Sequence, residues 1–413
     1  MTEAGEAGRA AERVARESYG RLVAFLAART RDVAGAEDAL SEAFAAALRM
    51  WPLDGVPHNP DAWLLTVARR RQTDAARRRR TRAAGKEHVM LIADELEAAT
   101  AEAGAIPDRR LALMFACAHP AIDKGMRAPL ILQAVLGLTA EDISAAFLIP
   151  AATMGQRLVR AKTRIRDAGI PFRVPDREEL AGRLEAVLDA IYAAYAKGWA
   201  EIGDAATPAL ADEAIWLGRL IVSLLPDEPE ARGMLALMLF AEARRPARRS
   251  VTGAYVPLEQ QDTSLWDDSQ IVLAERLLRE ASAGGPSGRY QIEAAIQSAH
   301  IARRVTGAPN WAAVVTLYGH LYSLTRSPVV TLNRAVALAE LDGPDAALDS
   351  IAALAADKRM LSYQPYWAAR GHLLARAGRK AEASEALTLA VGLATDDAVR
   401  AYLRQQLAAL QDA

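Results

Sequence analysis

The sequence predicts an all-α chain in which two small helical domains precede a larger α-helical one. Three observations carry that prediction. Apolar residues recur at spacings of three and four along nearly the whole chain, and no convincing segment alternates with the two-residue period of a strand. Proline and glycine clusters divide the helical runs near residues 51–60, 81–107 and 170–176. The length of 413 residues leaves room for two to four domains at about 100–200 residues each.

Residues 10–80 read as helical, with Leu22, Phe25 and Leu26, then Ala39, Leu40, Phe44 and Leu48, at helical spacing. WPLDGVPHNP at 51–60 carries three prolines and a glycine and reads as a loop. The next helix starts at Asp61, places Trp63, Leu64, Val67 and Ala68 on one side, and runs into a basic cluster. Residues 69–82 hold eight arginines against one acid, Asp74. Such a run is either a solvated helix end favoured by the dipole or, beside a tryptophan and a proline-rich loop, a surface for single-stranded nucleic acid. Residues 81–107 are small, polar and acidic and read as a linker, and 108–170 are helical again. IPFRVPD at 170–176 ends that domain, because two prolines forbid a continuous helix.

From residue 177 to 413 the chain is alanine-rich and helix-patterned, with breaks expected at 226–229, 244–261, 284–288, 307–309 and 343–344. LAELDGPDAAL at 338–348 and LLARAGRKAEA at 373–383 place Gly343 and Gly378 thirty-five residues apart, each between helical runs. That spacing is close to the 34-residue period of tetratricopeptide (TPR) helix pairs, and an alanine-rich bundle is the plainer alternative.

The segment richest in chemical information is LTAEDISAAFLIPAATMGQRLVRAKTRIR, at 138–166. Thr139 is placed to cap a short helix whose first turn carries Glu141 and Asp142. That helix turns Ile143, Ala146 and Phe147 inward and stops at Pro150. The second helix, 151–166, lines up Met154, Leu158, Ala161 and Ile165 as an apolar stripe. Thr153, Arg157, Arg160 and Arg164 project to the side, and Gln156 and Thr163 extend the polar surface. Two helices joined by a tight turn, the second presenting Arg and Gln, form a helix-turn-helix suited to base edges and phosphates of duplex DNA. An ordinary helical hairpin with a solvated basic face is the competing reading.

Charge sharpens this picture. The chain's net charge of −1 is the sum of +4 over residues 1–170 and −5 over the remainder. A single cysteine, Cys117, excludes a disulfide framework and a cysteine-rich zinc module, and fits a reducing cytoplasm. The first twenty residues have no apolar core of a secretory signal. The longest uncharged stretch, 305–325, is interrupted by Gly307, Pro309, Asn310 and Gly319 and carries His320, so no membrane span is expected. The expectation is a soluble cytoplasmic protein. Histidines 58, 88, 119, 300, 320 and 372 show no metal-ligand spacing, and no glycine-rich phosphate loop is present. Asp267-Asp268 and Glu178-Glu179 read as helix-start acids. No metal, cofactor or catalytic residue is expected; Tyr192, Tyr195, Trp199 and Trp216 read as core or groove lining, and a small-molecule pocket in the C-terminal domain stays open.

Taken together, these segments resemble an RNA polymerase sigma factor of the extracytoplasmic-function (ECF) group. DVAGAEDALSEAFAAALRMWP at 32–52 is similar to the sigma domain two helix that docks on the polymerase clamp. VPHNPDAWLLTVARRRQTDAARRRR at 56–80 resembles the loop and helix that open and read the −10 element. GLTAEDISAAFLIPAATMGQRLVRAKTRIRDAGIPFRVP at 137–175 resembles sigma domain four, which reads the −35 element. RRPAR at 245–249, LEQQDTSLWD at 258–267, YQIEAAIQSAH at 290–300 and SPVVTLNRAVALAE at 327–340 extend the likeness to the ECF subgroup with a long C-terminal TPR-like extension.

The resemblance implies an all-α architecture: sigma domain two at 10–80, a linker at 81–107, sigma domain four with its helix-turn-helix at 108–170, and a TPR-like regulatory domain at 177–413. It implies that Glu37, Asp38, Leu40, Glu42 and Phe44 contribute to core polymerase binding. Residues 51–80 would read the −10 element, with Trp51, His58, Asn59 and Trp63 around a flipped base and Arg69, Arg70, Arg71, Arg77 and Arg78 along strand phosphates. Thr153, Gln156, Arg157, Arg160, Lys162 and Arg164 would face the −35 duplex. The implied partners are core RNA polymerase, promoter DNA and a protein or small-molecule regulator of the C-terminal domain, with no membrane. Relatives often carry Cys-Cys-His-Pro where this chain has Cys117-Ala118-His119-Pro120, which undercuts a metal or redox role and leaves Cys117 as a buried apolar residue. Two rivals remain: a helix-turn-helix repressor or activator with a helical sensor domain, and a TPR scaffold.

Overall fold

A computed structural model describes residues 3–80, 109–147, 149–200, 208–285 and 287–412. The linker expected at 81–107 and the end of the arginine cluster at 81–82 lie outside them. The chain divides into two compact units, 1–197 and 198–413. The division falls after residue 197, not at the proline junction near 176. Every regular element of the described residues is helical, and the one β-contact is an isolated bridge between Arg249 and Tyr255.

The first unit opens with α1 (Glu3–Thr30), α2 (Val33–Asp54) and α3 (Pro60–Arg80). Leu22, Val23, Leu26 and Ala27 of α1 pack into a shared core with Leu40 and Ala43 of α2 and Leu64 and Ala68 of α3. Arg31 takes a left-handed conformation, φ +53°, to turn the chain, and Asp32 caps α2 by accepting the Gly35 N–H at 3.0 Å. α2 continues to Asp54, beyond the loop start expected at Trp51. Pro52 is tolerated in that last turn because the carbonyl it leaves unpaired belongs to the exposed Leu48, while Gly55 N–H closes on the Trp51 carbonyl at 3.1 Å.

The same unit continues with α4 (Arg110–Cys117), α5 (Lys124–Leu136), α6 (Ala140–Phe147), α7 (Ala151–Asp167) and α8 (Arg177–Ala200). α4 is buried nearly all round, and Cys117 lies among its fully buried residues, where burial pushes its thiol pKa up. α5 ends in the left-handed Gly137, with Leu138 N–H returning to the Leu132 carbonyl at 3.2 Å.

The second unit is built around α10 (Pro229–Ala243), in which every residue from Gly233 to Phe240 is buried. It is enclosed by α9 (Pro208–Leu224), α11 (Asp268–Ser282) and α12 (Arg289–Ile301). A helix buried on all faces has no amphipathic stripe, so its position in the core is set by its neighbours. Glu230 of α10 accepts the Tyr290 and Gln291 N–H groups at 3.0 and 3.1 Å, tying the start of α12 to α10. The segment 244–267 is mostly irregular and is strapped down by arginines. Arg303 donates to the Glu259 and Gln261 carbonyls, both at 2.8 Å, and Arg248 lies 3.4 Å over the Trp199 ring while donating to the Trp199 carbonyl. Beyond α13 (Arg303–Thr306), helices α14 (Trp311–Thr325), α15 (Pro328–Leu338), α16 (Pro344–Ile351), α17 (Lys358–Leu361), α18 (Gln364–Arg376), α19 (Lys380–Leu393) and α20 (Asp397–Asp412) follow, with successive long helices in contact. Gly343 and Gly378, at the α15–α16 and α18–α19 turns, both take positive φ, +85° and +76°.

Candidate nucleic-acid interface

α2 and α3 meet at a corner turned by Gly55, whose φ of +83° strains any residue with a Cβ. Asn59 closes the corner: its Oδ1 accepts the Ala62 N–H at 3.1 Å, and Pro60 opens α3 where a missing N–H costs nothing. Trp51, 3% exposed, meets Trp63 edge-on with ring centroids 5.6 Å apart at 64°. Trp63 is half-buried, and His58 and Asn59 are exposed beside it. Trp51 therefore props Trp63 from behind; a base could reach Trp63, His58 and Asn59 but not the Trp51 ring.

Along α3, Arg69 is half-buried with its guanidinium 4.8 Å from the centroid of the Phe25 ring. Burial and the nearby Arg29 charge pull its pKa below the ordinary guanidinium value. Arg70 is exposed. Arg71 is exposed and pairs with Glu42 at 3.2 Å, a contact that solvent screens and a phosphate could displace. Arg77 and Arg78 lie on α3, and their side chains are outside the description. On α2, Asp38, Glu42, Ala45, Leu48 and Leu53 form an exposed run, with Leu48 54% and Leu53 85% open to solvent. Leu40 points the other way and is fully buried, and Phe44 is half-buried. Leu40 holds α2 to its core and cannot contact a partner directly.

α6 and α7 form the tight helix pair. Thr139 Oγ1 accepts the Asp142 N–H at 3.2 Å while Asp142 Oδ2 accepts the Thr139 N–H at 3.0 Å and its hydroxyl at 2.7 Å, a reciprocal cap on α6. On α7, Met154, Leu158, Ala161 and Ile165 are buried, Gln156, Arg157, Arg160 and Arg164 are exposed, and Thr153 is half-buried. Arg157, Arg160 and Arg164 line one wall of a cleft of about 370 Å³ whose other wall is Ala121, Ile122, Asp123 and Met126 at the start of α5. The exposed Arg and Gln side chains offer hydrogen-bond donors at fixed helical spacing, as a recognition helix requires.

Lys162 departs from the expectation. It is buried, and its Nζ pairs with the Glu37 carboxylate of α2. Glu37 itself is largely buried, and desolvation outweighs the Lys162 ammonium to push its carboxyl pKa above the ordinary value. Glu37 and Lys162, expected at a polymerase surface and a DNA surface, instead satisfy each other. The cause is helical geometry: Lys162 sits on the flank of the α7 stripe that turns toward α2.

α8 is fastened to the helix-turn-helix. Arg127 of α5 donates to the Gly182 carbonyl at 3.0 Å, Lys124 pairs with Glu185 at 3.0 Å, and Lys197 pairs at 3.1 Å with Asp142, the residue that caps α6. Hydrogen bonds from Thr139 and Lys197 and the Lys197 charge hold the Asp142 pKa below the ordinary carboxylate value, against the opposing effect of desolvation. Sequence reasoning missed Asp142 and Lys197 as a pair, because 55 residues and a proline junction separate them. Among the described residues no cluster of ligating side chains could hold a metal ion, and no helix is long and apolar enough to cross a membrane.

Residues 14–82, which include most of α1 and all of α2 and α3, match the family described as Sigma-70 region 2. Residues 183–282 match a family of unknown function (DUF6596), which begins within α8 and continues into the second unit. The chain is 39% identical over 378 residues, 90% of its length and 89% of the relative's, to a Rhizobium meliloti (strain 1021) protein described as uncharacterized protein R00370. No solved structure matches the chain.

Proposed function

This chain belongs to the same family as the Rhizobium protein and carries a sigma-70 region 2, the part of a transcription-initiation factor concerned with promoter recognition; on that premise we propose that it is a complete ECF-type sigma factor with a C-terminal regulatory extension. The observation that carries the reading is the region 2 match on α1–α3, where an exposed acidic and apolar run on α2 adjoins the Trp63 corner and the arginines of α3. The exposed run would dock on core polymerase. His58, Asn59 and Trp63 would capture a flipped base of the −10 element, with Arg70, Arg71, Arg77 and Arg78 on strand phosphates and Arg69 supporting them. α7 would read the −35 duplex through Gln156, Arg157, Arg160 and Arg164, with Thr153 at its edge. The extension would act on the helix-turn-helix through α8, and the left-handed glycines 35 residues apart support TPR-like helix pairs that would take a protein or small-molecule regulator.

The test is run-off transcription with purified core polymerase and genomic promoter fragments. Specific initiation with no other factor is the expected outcome. Duplex binding without any transcript would instead identify a conventional helix-turn-helix regulator.

A further inference from the structure

The first unit is closed on itself along a seam that joins α1 and α2 to α5 and α7. At one end Gly20 of α1 lies so close to α5 that a Cβ there would fall 1.7 Å from the Val135 carbonyl oxygen. The neighbouring Tyr19 ring covers Gly137, where a Cβ would lie 3.0 Å from the ring. At the other end Glu37 of α2 pairs with Lys162 of α7, and Arg31 donates to the Gly169 carbonyl at 3.3 Å. Only glycine permits the backbone approach at residue 20, so the seam is built into the sequence.

The seam conflicts with promoter geometry. Elements centred near −10 and −35 are about 25 base pairs apart, on the order of 85 Å along the duplex at about 3.4 Å per pair. A compact body of about 200 residues has a radius of gyration of only about 16 Å. With α3 and α7 packed into one such body, the two reading surfaces cannot reach both elements. The chain between them, residues 81–108, can span about 90 Å when extended at about 3.3 Å per residue, so the covalent link does not forbid separation. The seam also suits release. A buried ion pair fixes register while contributing little net stability, because desolvation offsets its attraction.

Resting on the sigma-factor reading above, we propose that the closed first unit is a self-inhibited resting state: the Gly20–Val135 contact and the Glu37–Lys162 pair dock the −35 reader on the polymerase-binding helices, and core polymerase with promoter DNA takes the seam open. The surface of α2 around Glu37 thus has two competing occupants, α7 of the same chain and the polymerase.

The experiment uses the full chain and two independent ways of opening the seam. Gly20→Val wedges α1 from α5. Lys162→Glu sets two acids against each other, and the exchange Glu37→Lys with Lys162→Glu restores an ion pair. Amide hydrogen exchange along α2 and α5 reports opening, and titration with core polymerase reports affinity. If about nine molecules in ten rest closed, opening tightens apparent affinity about tenfold and raises run-off yield with it. The expected pattern is faster exchange and tighter binding in Gly20→Val and Lys162→Glu, both reversed in the exchanged pair. Should Gly20→Val fail to fold, the charge series carries the test alone. Variants that open by exchange yet bind and transcribe no better than wild type overturn the proposal, as does a wild-type free chain already open along the seam. A wild-type chain that never engages core polymerase overturns the underlying reading instead.

Discussion

Arg160 and Lys162 stand two positions apart on α7 and do opposite things: one faces solvent, the other is sealed against Glu37. At about 100° per residue, Lys162 lies about 70° from the midline of the apolar stripe, on the flank away from Arg157, Arg160 and Arg164. The distinction was therefore legible as an angle, although a grouping by charge alone places all four cations together. Leu40 and Trp51 differ in kind, since their membership of a functional motif said nothing of the direction in which each points. The cations make separable contributions to duplex binding. Each phosphate contact adds about 0.9 to the slope of log affinity against log salt. Arg157→Ala with Arg160→Ala should lower the slope for a −35 duplex by about 2, whereas Lys162→Ala should leave it unchanged. Fluorescence anisotropy across a salt series measures both, and an unaltered slope in the double variant removes these arginines from the interface.

Helix existence was readable from periodicity, and most breaks fell where Pro and Gly cluster, including 284–288 and 343–344. Ends governed by tertiary contacts were not readable. α2 passes through Pro52 because an exposed turn can leave a carbonyl to water, and the 244–267 segment stays irregular because Arg248 and Arg303 supply its backbone partners. That segment adjoins a titratable weak point at the end of α12. His300 packs edge-on against Trp311 at 5.5 Å; burial, with Arg244 and Arg303 nearby, pushes its pKa down to about 4. An unfolded histidine takes up its proton near pH 6.5, so the folded state resists protonation. Its stability is full above about 6.5 and declines as pH falls toward 4, by about 3 kcal/mol in all. His300→Gln should remove most of this loss. Urea unfolding of the second unit at pH 7.5 and 4.5 would show it, and an equal loss in the variant would assign the acid sensitivity to other groups.

At the scale of the whole molecule, the acidic C-terminal half and basic N-terminal part do not mark the architectural boundary. The compact unit runs to residue 197 and keeps α8, although IPFRVPD looks like the natural end of a domain. Arg127, Lys124 and Asp142 each hold α8 by a contact invisible to local patterning. A fragment 1–197 should therefore melt higher than 1–176, by about 5 °C or more if α8 contributes about 2 kcal/mol. Equal melting temperatures would show that α8 adds nothing to the unit. The seven tryptophans follow the same division, with Trp51 and Trp63 in the first unit and five in the second. Their edge-on contact at 5.6 Å couples the two indole transitions, so the corner carries its own optical signature: a paired circular-dichroism band in the near ultraviolet that a base inserted beside Trp63 would distort, without a dye or a label.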